Sequence, residues 1–196
     1  MSNSARGTHR EALLQAARAL IRQRGYGNIT ARDLVAASGT NLASIGYHFG
    51  SKEALLNEAT GQALEEWAET ISQATRAETS AGAHERMAAA WRALLGDFDR
   101  VRPYFLAFIE AVVRSARSPE LAQQLAAHYD KQRDRVAAML EEAAGGALGE
   151  ESARRIATFL IAMSDGLMLQ SLVDPSRAAE IVDLASATGT MFGQSS

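Results

Sequence analysis

Residues 30–56 read TARDLVAASGTNLASIGYHFGSKEALL, a pattern of two very short helices around a glycine turn with a longer helix behind them. Thr30 with Asp33 three residues on opens the first, and only about eight residues fit before Ser38-Gly39, where glycine permits a tight turn. Asn41 then caps a helix from about Leu42 to Phe49, in which Ile45 and Phe49 lie four apart and both face inward. Gly50-Ser51 breaks the chain, and KEALL starts a long helix running to about Ala77, with Leu55, Ala59, Ala63 and Trp67 along one side.

Upstream, T-H-R-E at Thr8–Glu11 has the form of a capping box and predicts a helix from about His9 to Arg24. Leu13, Ala17, Leu20 and Ile21 share one face of it, and Gly25 supplies a left-handed stop. A longer helix followed by two short ones across a glycine turn makes a helix-turn-helix. Downstream, helices are predicted at about 84–99, 103–117 with Pro103 near the first turn, 119–144, 150–173 and 175–192. The expected fold is all-α, about nine helices, with a DNA-binding domain over 1–52 and a helical ligand-binding and dimerisation domain over 53–196.

Charge divides the chain at the same place. Residues 1–52 hold seven bases against two acids, a net of +5, while the rest hold 13 against 21, a net of −8. A basic module on an acidic body suits a protein that meets polyphosphate at one end only. The chain has no cysteine, which removes disulfide and thiolate-metal chemistry. No apolar run approaching eighteen residues is expected and the start lacks an apolar signal core, so a cytoplasmic protein without membrane contact is predicted. His9, His48, His84 and His128 are scattered, no H-E-x-x-H occurs and no glycine loop follows a strand. Neither an enzyme nor a cofactor is therefore expected. A helical adaptor or structural dimer is the other class, but it has no need of a basic helix-turn-helix.

The stretch 30–56, with its Gly39 turn, its Tyr47-His48-Phe49 triplet and the GSKEALL continuation, resembles the signature of the TetR family of transcriptional regulators. The likeness spans about fifty residues. It implies a DNA-binding repressor that acts as a homodimer on a palindromic operator and is released by a small molecule. Arg32 matches a position from which family members reach bases, and it is the long cation near the reading head, suited to guanine. Thr30, Tyr47, His48 and Lys52 match phosphate contacts in chemistry and alignment alike. Asn41, Ala43, Ser44 and Tyr47 are the residues that a recognition helix would turn towards the major groove. Packing of Tyr47 on the first helix and capping by His48 stay open, as does a solvated role for Lys52. Arg6, His9 and Arg10 form either an arm near the DNA or a free tail. The family usually has an aromatic residue at Gly46 and a basic or polar one at Leu42, so direct readout is expected to be thin.

In the remainder, Trp91, Leu94 and Phe98 repeat at helical spacing, as do Phe105, Phe108 and Val112, and Phe159 and Met163 can face them. Together they suggest a mainly apolar effector pocket, although for any one of them plain core is the alternative. His128 and Gln170 lead the polar groups that would converge on the ligand, followed by Tyr129, Gln132 and Asp165. Ile161, Met168 and Leu172 on one helix, with Ile181, Leu184, Thr188 and Met191 on the next, form the expected dimer face.

Overall fold

The computed structural model describes residues 2–77 and 83–174. These form α1 (Ser2–Arg24), a single 3-10 turn (Tyr26–Asn28), α2 (Ala31–Ser38), α3 (Leu42–Phe49), α4 (Lys52–Ala77), α5 (Ala83–Gly96), α6 (Phe98–Ser115), α7 (Pro119–Ala143) and α8 (Glu150–Val173), with no strand among them. The ninth helix expected near 175–192, and with it Ile181, Leu184, Thr188 and Met191, lies outside the described residues.

The helix-turn-helix is built by its caps. Thr30 accepts from the Asp33 amide while Asp33 accepts from the Thr30 amide, a reciprocal box that satisfies two otherwise orphaned donors. Gly39 ends α2 in the left-handed region at φ 66°, which a side chain would oppose. Asn41 starts α3 by accepting from the Ser44 amide, and Ser51 starts α4 by accepting from Ala54.

Packing divides the chain into two compact units. The first comprises 1–67 and 99–119, the second 68–98 and 120–196, so the boundaries fall inside α4 and at the start of α6. In the first unit α1 packs on α2 and α3. Leu13, Leu14 and Ile21 of α1, Leu34 of α2, and Leu55 and Leu56 of α4 are fully buried. Each such side chain contributes about 1.5–3 kcal/mol by leaving water. In the second unit Ala137 of α7 meets Ala153 and Ala157 of α8, with Val136, Leu140 and Leu148 around them. These small residues let the two helices approach closely. Arg154 adds ion pairs to Asp130 and Asp134 across the same helices.

Four expectations change. α1 begins at Ser2, which places Thr8 inside the helix, and Glu11 accepts from Gln15 instead of closing a cap. Gly25 has a positive φ of 74° but ψ of 157°, so it stops α1 in an extended, glycine-specific conformation rather than a left-handed one. α6 starts at Phe98, with Pro103 inside it. Phe98, Val101, Tyr104 and Phe105 are all buried, and that helical period carries the element upstream of the proline. Finally, residues 156–173 of α8 hold one charge, Asp165, and this helix is long and apolar enough to cross a membrane, with a mean hydropathy of 1.6 over eighteen residues.

Candidate functional site

The outer face of α2 and α3 gathers the residues expected to meet DNA. Arg32 is exposed and has no acidic partner among the described residues. Asp33 beside it is fully engaged, by Thr30 and by Arg24 at 2.7 Å. The Thr30 hydroxyl and then the Thr30 amide hold the Asp33 carboxyl at about 2. It therefore stays ionised as a helix cap and does not compete for Arg32. Asn41 and Ala43 are exposed, and Tyr47 is 70% exposed, which rules out packing on α1 as its place. His48 is half-buried, edge-on to the rings of Tyr47 at 4.9 Å and Phe49 at 6.2 Å. Lys52 donates to the Ile29 carbonyl at 3.1 Å, the residue just before the Thr30 cap, and pairs with Glu53 at 3.3 Å.

Ser44 departs from the expectation. It is only 8% exposed, with its amide and hydroxyl both turned to the Asn41 side chain, so it serves the cap of α3 rather than facing outward. Arg10 is not an arm either. It stacks over the Phe49 ring at 5.1 Å and pairs with Glu58 of α4.

A second group in this unit had no signal in the sequence. Arg114 of α6 lies 4.6 Å over the Tyr26 ring and donates to the Tyr26 hydroxyl at 2.5 Å and to Asn57 at 3.3 Å. Tyr26 in turn donates to Asn57 Oδ1 at 2.8 Å. Burial, opposed by Arg114, pushes the Tyr26 phenol up, so it remains a donor. Tyr104, also on α6, donates to the Arg18 carbonyl. Partners dispersed over residues 18 to 114 meet only in three dimensions. They fix the turn that leads from α1 into α2.

The residues expected to hold an effector fall in both units. Trp91 and Phe98 are buried in the second, and the Trp91 indole nitrogen has no acceptor. A buried donor left unpaired costs about 1–3 kcal/mol. In the first unit Phe105 is buried and stacks on half-buried Phe108 at 6.4 Å. Phe159 is 57% exposed and Gln170 is exposed, contrary to the expectation that they point inward, while Met163 is half-buried. The cause is the register of α8, whose buried face is Ala153, Ala157, Met168 and Ser171. Met168, expected at a dimer face, packs inside the subunit. His128 and Tyr129 are half-buried on α7, their rings 6.3 Å apart. Tyr129 donates to Asp165 of α8 at 2.7 Å. A separate cleft of about 300 Å³, lined by Thr75, Arg76, Arg86, Met139 and Glu142, contains none of the expected residues.

Residues 13–59 match the family model described as bacterial regulatory proteins, tetR family, and residues 83–188 match that of the BetI-type transcriptional repressor, C-terminal. The HTH-type nicotine-responsive transcriptional repressor HdnoR of Paenarthrobacter nicotinovorans is 26% identical over 172 residues, 85% of either chain. A transcriptional regulator from Saccharomonospora viridis, solved in complex with choline, is 25% identical, with a TM-score of 0.67 over 92% of this chain and 95% of that one. A TetR-family regulator from Rhodococcus sp., 20% identical, shares the fold with a TM-score of 0.71 over 92% and 98%.

Proposed function

The chain belongs to the TetR family of bacterial transcriptional regulators, and from that premise we propose how its parts act. Residues 1–52 form the DNA-binding domain and residues 53–196 the ligand-binding and dimerisation domain. Two copies place two α3 helices in successive major grooves of a pseudo-palindromic operator, about 34–36 Å apart. Arg32 reads a base. Asn41, Ala43 and Tyr47 face the groove, and Thr30, His48 and Lys52 hold phosphates. The observation that carries this is the unpaired, exposed Arg32 beside a cap network that already satisfies Asp33. Its function is binding, not catalysis, and its place is the cytoplasm, where the operator is.

The second copy docks on α8. Its exposed side presents Phe159, Ala162, Gly166, Leu169 and Val173 at i, i+3, i+7, i+10 and i+14, an apolar seam with small residues at its centre. This seam replaces Ile161, Met168 and Leu172 as the expected contact, and it accounts for the exposed apolar length of α8 as a subunit interface.

The effector is a small, mainly apolar molecule, held within the second unit, where Trp91 and Phe98 are the buried aromatic candidates and His128 a polar one. That relatives include a nicotine-responsive repressor and a regulator solved with choline supports control by a small organic molecule. A ligand that favours the conformation with the wrong helix spacing releases the operator in proportion to its differential affinity for the two states. The test is selection of genomic fragments by the purified protein, followed by mobility shifts at several salt concentrations. A preferred pseudo-palindrome with steep salt dependence is expected. Equal binding to that site and to random duplex would overturn the reading.

A further inference from the structure

Along residues 156–173 of α8 the single ionisable group is Asp165. It is partly buried, and Ile161, Asp165, Met168 and Leu172 share one side of the helix at i, i+4, i+7 and i+11, with Met168 fully packed inside the subunit. The Asp165 carboxylate thus looks into its own domain and away from the exposed apolar seam. Its partner there is the Tyr129 hydroxyl of α7, donating to Oδ2 at 2.7 Å. Among the described residues no Lys, Arg or His pairs with it. Of the arginines on the same two helices, Arg133 pairs with Asp130, Arg154 with Asp130 and Asp134, and Arg155 with Glu151.

A carboxylate drawn from water without a counter-charge is costly, and one phenol does not offset that cost. The group offers about four acceptor positions, of which Tyr129 fills one. Burial pushes the Asp165 carboxyl up, with the Tyr129 bond opposing. Beside it stands the ring of Tyr129, which has the ring of His128 as its own neighbour, 6.3 Å away. A carboxylate with acceptor positions to spare and an aromatic ring beside it are groups that attract an organic cation.

We propose that Asp165 is the counter-charge for the effector, which therefore carries a protonated or quaternary amine on its mainly apolar body. Tyr129 acts as a positioning residue that orients the carboxylate. The proposal rests on the reading of this domain as the effector-binding part and adds one charge to the ligand class given above. The rival role for the pair is a staple between α7 and α8 with no ligand.

Calorimetric titration of the full-length protein compares benzyltrimethylammonium with its neutral carbon isostere, neopentylbenzene. The cation is expected to bind at least ~10-fold more tightly, since each 1.4 kcal/mol of differential interaction is tenfold. Asp165→Asn is expected to abolish that preference and leave the isostere's affinity unchanged, while Tyr129→Phe, which retains the charge, keeps it. A wild-type protein without cation preference overturns the proposal, and so does an Asp165→Asn protein that retains it. Should Asp165→Asn fail to fold, the wild-type comparison still decides. Operator release is read separately by mobility shift on the same samples. An Asp165-dependent cation preference without release would overturn the regulatory reading and leave the amine site standing.

Discussion

Arg32 and Lys52 are both cations proposed to meet DNA, and their surroundings separate their roles. Arg32 is unpaired and exposed, whereas the Lys52 amine is already anchored on the Ile29 carbonyl. Arg32→Ala is expected to cost roughly 1–3 kcal/mol on the true operator and to relax its sequence preference. Lys52→Ala weakens all sequences alike and flattens the salt slope by about one. Equilibrium titrations of operator and random duplex check both, and equal losses for Arg32→Ala on the two DNAs would remove it from base readout. Asp33 makes a different prediction. Its carboxyl, held at about 2 by the Thr30 hydroxyl, then by the Thr30 amide and Arg24, ionises more readily folded than in an unfolded chain, where the value is about 4. Its stabilisation of α2 is thus fully present above about pH 4 and lost as pH falls towards 2. Over that window thermal midpoints should fall less steeply in Asp33→Asn than in the wild-type protein.

Among the helices, α3 has an evident reserve of stability. Gly46 lies within it, its φ is not positive, and a Cβ there would meet nothing within 4 Å. Gly46→Ala is expected to raise stability by about 0.5–1 kcal/mol in urea unfolding. An unchanged midpoint would mean that the glycine does not weaken the helix. Local chemistry explains why α2, α3 and the start of α4 can be read from sequence: Thr30, Asn41 and Ser51 accept from amides three residues on, and Gly39 donates its own N–H to the Val35 carbonyl. α8 runs over the residues that its periodicity gives. The start of α6 is less legible, because Pro103 signals a beginning more strongly than Phe98 and Val101 signal continuation. The facing of Ser44, Phe159 and Gln170, and the Arg114–Tyr26–Asn57 group, depend on what packs against each helix. No local pattern records that.

For the assembled molecule, the α8 seam predicts that Leu169→Glu, at a residue 50% exposed in the single subunit, yields a folded monomer by sedimentation. Operator affinity should drop with it, since each half-site must then bind alone. A Leu169→Glu protein that stays dimeric would move the interface elsewhere. Operator binding by the wild-type protein should fall with salt at a log–log slope of about −0.9 per phosphate neutralised. The unit that contains the helix-turn-helix is discontinuous, since 99–119 belong to it together with 1–67, and Tyr104 and Arg114 reach back to Arg18 and Tyr26. A chimaera grafting residues 1–52 onto another regulator's body would arrive without the leucines of α4 and without those two clasps, its α1 core uncovered. Transplanting this reading head to a new sensor therefore requires two segments, 1–67 and 99–119. The outward residues Arg32, Ala43 and Tyr47 can be rewritten in place, because none of them holds the head together.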